Sequence, residues 1–189
     1  MTDTAGLKAL VVYESFFGNT ESIARAVASG LRLEGIEAEA VDIADDFEVD
    51  PAAYDLLVVG GPTHAFALSR PSTRDDAAAR GGDDRYATRG LREWLTALPG
   101  GSGTHLAACF DTRVSKVRRL PMSASRSAAH FLRDRGFTLV SRPTGFVVQD
   151  VEGPLESRQM ERAIAWGRTL AGEVQARLEI AADLRRRGS

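Results

Sequence analysis

The chain has 189 residues, a formal net charge of −2, 43% hydrophobic residues and 26% charged residues. That suits one α/β domain burying roughly 70% of its unfolded surface, and it offers no strong field for nucleic acid or a membrane surface. The single cysteine, Cys109, excludes an internal disulfide and fits a reducing cytoplasm. No apolar run reaches the roughly 18 residues of a membrane span, and residues 1–6 lack the basic and apolar regions of a signal peptide. Without a low-complexity linker, repeat or long charge block, the expectation is one domain over residues 1–189, with 1–6 and 185–189 flexible.

Leu7 to Tyr13 is a continuous apolar run that predicts a central strand buried on both faces. Ile23, Val27 and Leu31 then mark a helix over 20–34, stopped by Gly35 as a left-handed cap. Ile36 to Ile43 alternates apolar and acidic residues and predicts a half-exposed strand near an edge. Residues 44–53 are acidic and ambiguous, with room for one helical turn. Tyr54 to Gly60 predicts a second buried strand, ending in Gly61-Pro62-Thr63-His64-Ala65-Phe66.

The stretch 67–88 is charged and broken by glycine; Ser72 is a candidate cap for a short helix reaching Arg80. Leu91, Trp94, Leu95 and Leu98 give the inner face of a helix over 87–98, and Thr104 to Phe110 predicts a third buried strand. Residues 111–122 read as a loop, followed by a helix capped by Ser123 or Ser125 and ending at Gly136. Phe137 to Gln149 predicts a strand region interrupted by Pro143 and Gly145. The last helix is expected to begin after Pro154 as a first-turn residue. Its stripe is Met160, Ile164, Gly167, Ala171, Val174 and Leu178, with Gly167 allowing close approach to the sheet and Arg185 to Arg187 forming a solvated tail. Strands alternating with helices predict a three-layer αβα fold around a parallel sheet.

The loop between the first strand and helix carries Ser15-Phe16-Phe17-Gly18-Asn19-Thr20. Hydroxyl, amide and glycine residues before a helix N-terminus present unpaired N–H groups to an anion. No lysine completes a Walker A loop, and Gly18 alone does not make the dinucleotide fingerprint. What remains can wrap one terminal phosphate; an ordinary capped turn with Asn19 as N-cap is the plain alternative. In a doubly wound sheet, ligands sit at the carboxyl ends of the strands where the winding reverses. Residues 14–20, 61–66 and 110–114 are therefore expected to meet there.

The pattern Ser15-x-x-Gly18-x-Thr20, with Gly-Gly-Pro-Thr-His-Ala-Phe at 60–66, resembles the flavodoxin-like family over about residues 7–175. The resemblance implies a five-stranded parallel sheet of order 2-1-3-4-5 and non-covalently bound FMN. It implies that Ser15, Phe16, Phe17, Gly18, Asn19 and Thr20 surround the phosphate. Pro62, Thr63, His64, Ala65 and Phe66, with Phe110, Asp111, Thr112 and Arg113, would flank the ring, and Arg113 or nearby N–H groups would stabilise negative charge on reduced flavin. The second loop lacks the Trp and Asp-Gly of carrier flavodoxins. It is more similar to the Pro-Thr-Arg-Phe-Gly loop of flavodoxin-like quinone reductases, with His64 in place of Arg.

The expected partners follow: a redox partner protein, or a small quinone or nicotinamide in a reductase, with no nucleic acid, no membrane and an oligomeric state left open. A flavodoxin-fold interaction domain without flavin is the reading from another class. His64 is either a proton or hydrogen-bond donor to the ring or a positioning residue. His105 and His130 are expected to be structural and Cys109 a core residue, since Cys-x-x-x-Arg is too short for a phosphatase loop. No metal-ligand spacing or nucleophile elbow is present in the sequence, and the charged excursion 70–92 is expected to be solvated, with a lid or partner surface as its other reading.

Overall fold

The computed structural model describes residues 6–45, 50–117 and 122–187. Its strands are β1 Lys8–Tyr13, β2 Glu37–Asp42, β3 Leu56–Pro62, β4 Leu106–Val114, β5 Thr138–Leu139 and β6 Thr144–Val148. Its helices are α1 Asn19–Leu33, α2 Pro71–Ala79, α3 Leu91–Ala97, α4 Ala124–Asp134 and α5 Gln159–Arg187. All strand pairs are parallel, in the order β2-β1-β3-β4-β5, and β6 also pairs with β4. The segment after α4 is one strand position in two pieces: β5 matches Leu106 and Ala107, and β6 matches Phe110 through Val114. Pro143 lies between them and has no N–H to give to a ladder.

Each face of the sheet carries its own core, as a parallel sheet requires. On one face Val11, Val58, Ala108 and Phe110 pack under α1 and α5, with Ile23, Val27, Leu31, Leu170 and Val174 contributing. On the other, Leu10, Val12, Leu57, Val59 and Cys109 meet Leu91, Leu95 and Leu132 of α3 and α4, together with Phe16 and Tyr86. Cys109 is a buried core residue, and burial pushes its thiol pKa well up. Edge strand β2 is half exposed, as its alternation predicts. No helix among the described residues is long and apolar enough to cross a membrane.

Several boundaries differ from the sequence expectation, each for a local reason. Helix α1 starts at Asn19, because Gly18 takes the N-cap position at φ 78. Pro71 opens α2, whose first turn is closed by Thr73 Oγ1 accepting the Arg70 N–H at 2.9 Å, so Ser72 is inside the helix. Helix α3 begins at Leu91 rather than near 87, since Asp84–Tyr86 form a separate 3-10 turn capped by Asp83.

Strand β4 runs on through Asp111–Val114, expected as loop, because β3 and β6 both continue to pair with it there. Pro154 precedes α5 by several residues: the chain first folds back on β6, with Gln149 N–H bonded to Pro154 O and Glu156 N–H to Val147 O, both at 2.9 Å. Arg185–Arg187 form the last turn of α5 and are exposed. Met160, expected on the inner stripe, is 39% exposed. Gly167 faces α1 rather than the sheet: a Cβ there would lie 2.3 Å from Val27 O, and one on Gly30 would lie 2.2 Å from Ile164 O.

Candidate functional site

At the carboxyl ends of β1, β3 and β4 lies a cavity of about 180 Å³. Ser15, Phe16, Phe17, Asn19 and Thr20 line it from the first loop, Pro62, Thr63, His64 and Ala65 from the second, and Thr112, Arg113 and Val114 from β4. Val148 and Val151 complete the wall. The segments expected to converge are thus at one rim. Asn19 Nδ2 donates to Glu152 O at 3.0 Å and fixes the 150–155 turn beside the opening.

The first loop has the chemistry of an anion site. Gly18 at φ 78 adopts the left-handed conformation that suits glycine, and nothing lies within 4 Å of a Cβ placed there, so the requirement is conformational rather than steric. Ser15 Oγ accepts the Glu21 N–H at 3.1 Å, and Ser15 N–H is itself bonded to Tyr86 Oη at 3.1 Å. Among the described residues, none accepts from the backbone N–H groups of Phe16, Phe17, Gly18, Asn19 or Thr20. A row of such donors at the positive end of a helix is a nest for a phosphate or carboxylate. Thr20 Oγ1 adds a hydroxyl 2.8 Å from Thr112 Oγ1, with both residues buried.

The second loop is a tight turn. His64 and Ala67 exchange N–H···O bonds of 2.9 and 3.0 Å, with Ala65 at φ 44 and Phe66 at φ 68. Both central residues therefore hold positive φ, a geometry usually given to Asn-Gly, and such strain gathers at ligand sites. His64 is half-buried, its ring edge-on to Phe16 with centroids 5.0 Å apart. Burial lowers its imidazole pKa, against a weaker pull upward from Asp76. Phe66 is 43% exposed and outside the lining. Thr63 Oγ1 accepts the Ala124 N–H at 3.0 Å and so joins this loop to the start of α4.

Strand periodicity splits the third segment. Phe110 and Thr112 point to the α1 side, where Phe110 is fully buried against Phe146 and Trp166 and does not reach the cavity. Its ring lies over Gly60, where a Cβ would come within 1.9 Å. Asp111 is fully buried too, committed to Ser125 and to a two-pronged pair with Arg113 Nε and Nη2 at 2.6 Å. Arg113 does line the cavity, and among the described residues none accepts from its Nη1.

Residues that the sequence reading passed over support the loop from behind. Glu14 is fully buried, its Oε1 accepting from Ser69 Oγ at 2.7 Å and Leu91 N–H at 3.3 Å, while Oε2 has no partner among the described residues. Burial, only partly offset by these bonds and by Arg74, raises its pKa from the ordinary 4.5 to about 7. Arg74, 2% exposed, pairs with Glu93 at 3.1 Å. The excursion 70–92 is exposed over much of its length, as expected, and is anchored behind the first loop by the buried Arg74 and Tyr86. His105 accepts the Ser102 N–H at 2.9 Å, and exposed His130 pairs with Asp134.

Residues 11–71 match the flavodoxin family, and the sheet order together with the N–H nest after β1 decides the comparison. The fold is flavodoxin-like. A putative diflavin flavoprotein (A 4) of Synechocystis sp. is 41% identical over 61 residues, which are 30% of this chain and 10% of that much longer protein. An archaeal flavodoxin superposes with a TM-score of 0.62 at 17% identity, covering 89% of this flavodoxin-like chain and 99% of its own. Oxidised flavodoxin 1 from Bacillus cereus gives 0.60 at 19% identity, over 89% and 97% of the two chains. The Flv1 flavodiiron core of Synechocystis sp. PCC6803 gives 0.59 at 18% identity, with 90% of this chain covering 36% of that one. At these identities the structural likeness establishes the fold.

Proposed function

We propose that this flavodoxin-like chain binds FMN non-covalently in the cavity and passes electrons through it to a redox partner. The observation that carries the proposal is the row of N–H donors from Phe16 to Thr20, without a cationic side chain, beside a wall of planar and apolar groups. Those N–H groups and the Thr20 hydroxyl would hold the terminal phosphate, and His64, Thr112, Arg113 and the valines would bound the ring. FMN supplies a centre that takes up and gives back electrons singly or in pairs. The chain's part is to orient that centre, to exclude water on one side, and to place the Arg113 guanidinium where negative charge develops.

His64 favours a second reading, an NAD(P)H- or quinone-linked reductase. A neutral imidazole on the cavity wall is suited to a hydrogen bond with a small carbonyl acceptor. A cytoplasmic setting fits either reading, since the single cysteine is buried and has no partner in the chain for a disulfide. Reconstitution with FMN followed by absorption spectroscopy tests the proposal: a flavin spectrum perturbed by the protein supports it. Failure to retain flavin would instead favour an interaction domain on this fold. Stepwise reduction then separates the carrier, which takes electrons one at a time, from the reductase, which takes them as a pair and turns over with quinone or NAD(P)H.

A further inference from the structure

The first loop is gripped residue by residue by a segment distant in sequence. Glu14 is held by Ser69 and the Leu91 N–H, Ser15 N–H by Tyr86, and Phe16 O by the Asp83 N–H at 2.9 Å. Tyr86 is fully buried on the 3-10 turn between α2 and α3, its ring edge-on to Phe16 at 5.0 Å. Its hydroxyl also donates to Asp42 Oδ1 at 2.7 Å. Asp42 ends edge strand β2, and its carboxylate is itself fixed by the Ala44 N–H at 2.9 Å and by Arg85 Nη2 at 3.0 Å. A carboxylate only accepts, so the phenol proton must point to Asp42 and its lone pair to Ser15 N–H.

We propose that Tyr86, oriented by Asp42, is a positioning residue that sets the phosphate loop by taking the Ser15 N–H out of the donor row. With that N–H occupied, the backbone donors open to a ligand begin at Phe16, while Ser15 Oγ, which accepts the Glu21 N–H, keeps its own O–H to donate. The Glu14–Ser15 peptide cannot turn to point its N–H at the ligand. The inference rests on the FMN reading for its ligand, but the grip itself is independent of any ligand.

The test compares Tyr86→Phe with wild type by amide exchange at Ser15 and by titration of apoprotein with FMN and with riboflavin, which lacks the phosphate. Loss of the acceptor should speed Ser15 exchange and weaken FMN binding about tenfold or more, while riboflavin binding changes little. Asp42→Asn keeps an acceptor for the phenol and should bind FMN nearly as wild type, whereas Asp42→Ala should follow Tyr86→Phe. Thermal melts identify a variant that has simply unfolded, and the Asp42 pair then carries the comparison. Unchanged Ser15 exchange, or FMN and riboflavin weakened equally, would overturn the inference. A wild-type protein that binds neither flavin would overturn the FMN reading, while Ser15 exchange would still decide the grip.

Discussion

Glu14→Gln isolates the consequence of burying a carboxyl directly behind the first loop. A shift from 4.5 to about 7 corresponds to roughly 3 kcal/mol of preference for the neutral form in the folded state. Because the folded pKa is the higher one, the folded protein binds the extra proton between these values. The contribution of Glu14 to stability is therefore fully present below pH 4.5 and is lost as pH rises through about 7, opposite to a salt-bridged carboxylate. Glutamine retains an acceptor for Ser69 and Leu91 but never ionises. The stability difference, variant minus wild type, should grow by about 2 kcal/mol between pH 5 and pH 8, measured by urea denaturation at each pH. Curves for the two proteins that stay parallel across this range would show that Glu14 does not take up its proton on folding.

The remaining predictions concern single contacts. Thr20→Ala should weaken FMN binding by about 1.5 to 3 kcal/mol, the value of a hydrogen bond to a charged group; unchanged FMN affinity in an apoprotein titration would put the phosphate elsewhere. Gly167→Ala gains about 1 kcal/mol of helix propensity, but its Cβ would meet Val27 O at 2.3 Å. Overpacking at about 1 to 3 kcal/mol should dominate, so calorimetry should record a lower Tm, and a raised Tm would refute the tight α1–α5 contact. His64 should titrate below its ordinary 6.5 by NMR. Protonation then works against the fold, so wild type should lose more stability than His64→Gln as pH falls below 6.5. A midpoint at or above 6.5 would contradict the buried ring.

The apolar runs at 7–13 and 54–60, the helix period and the glycine stops made the parallel sheet legible from the sequence, because each is a local pattern tied to one geometry, whereas the strand order followed from the resemblance. The first loop was legible for the same reason. The third segment was not: with the strand ended at Phe110 and Asp111 to Arg113 read as loop, these residues had no reason to be sorted, whereas a continuing strand sends alternate residues to opposite faces. Phe110 and Asp111 accordingly serve the core and the start of α4. Val148 and Val151 had an available signal, since the last strand must also end at the rim. Tyr86 had none: a single aromatic in a charged, glycine-broken stretch gives no period, and its contacts with Ser15 and Asp42 span sequence separations of 71 and 44 residues. Glu14 was hidden by its type, because an acidic residue beside a loop reads as exposed until packing shows otherwise.

Titration of purified apoprotein with FMN and riboflavin, followed by flavin fluorescence and absorption, tests the phosphate nest beside a ring-binding wall most directly. The account predicts saturable FMN binding with a perturbed flavin spectrum and riboflavin weaker by about tenfold or more. Equal affinity for the two flavins, or binding of neither, would contradict it.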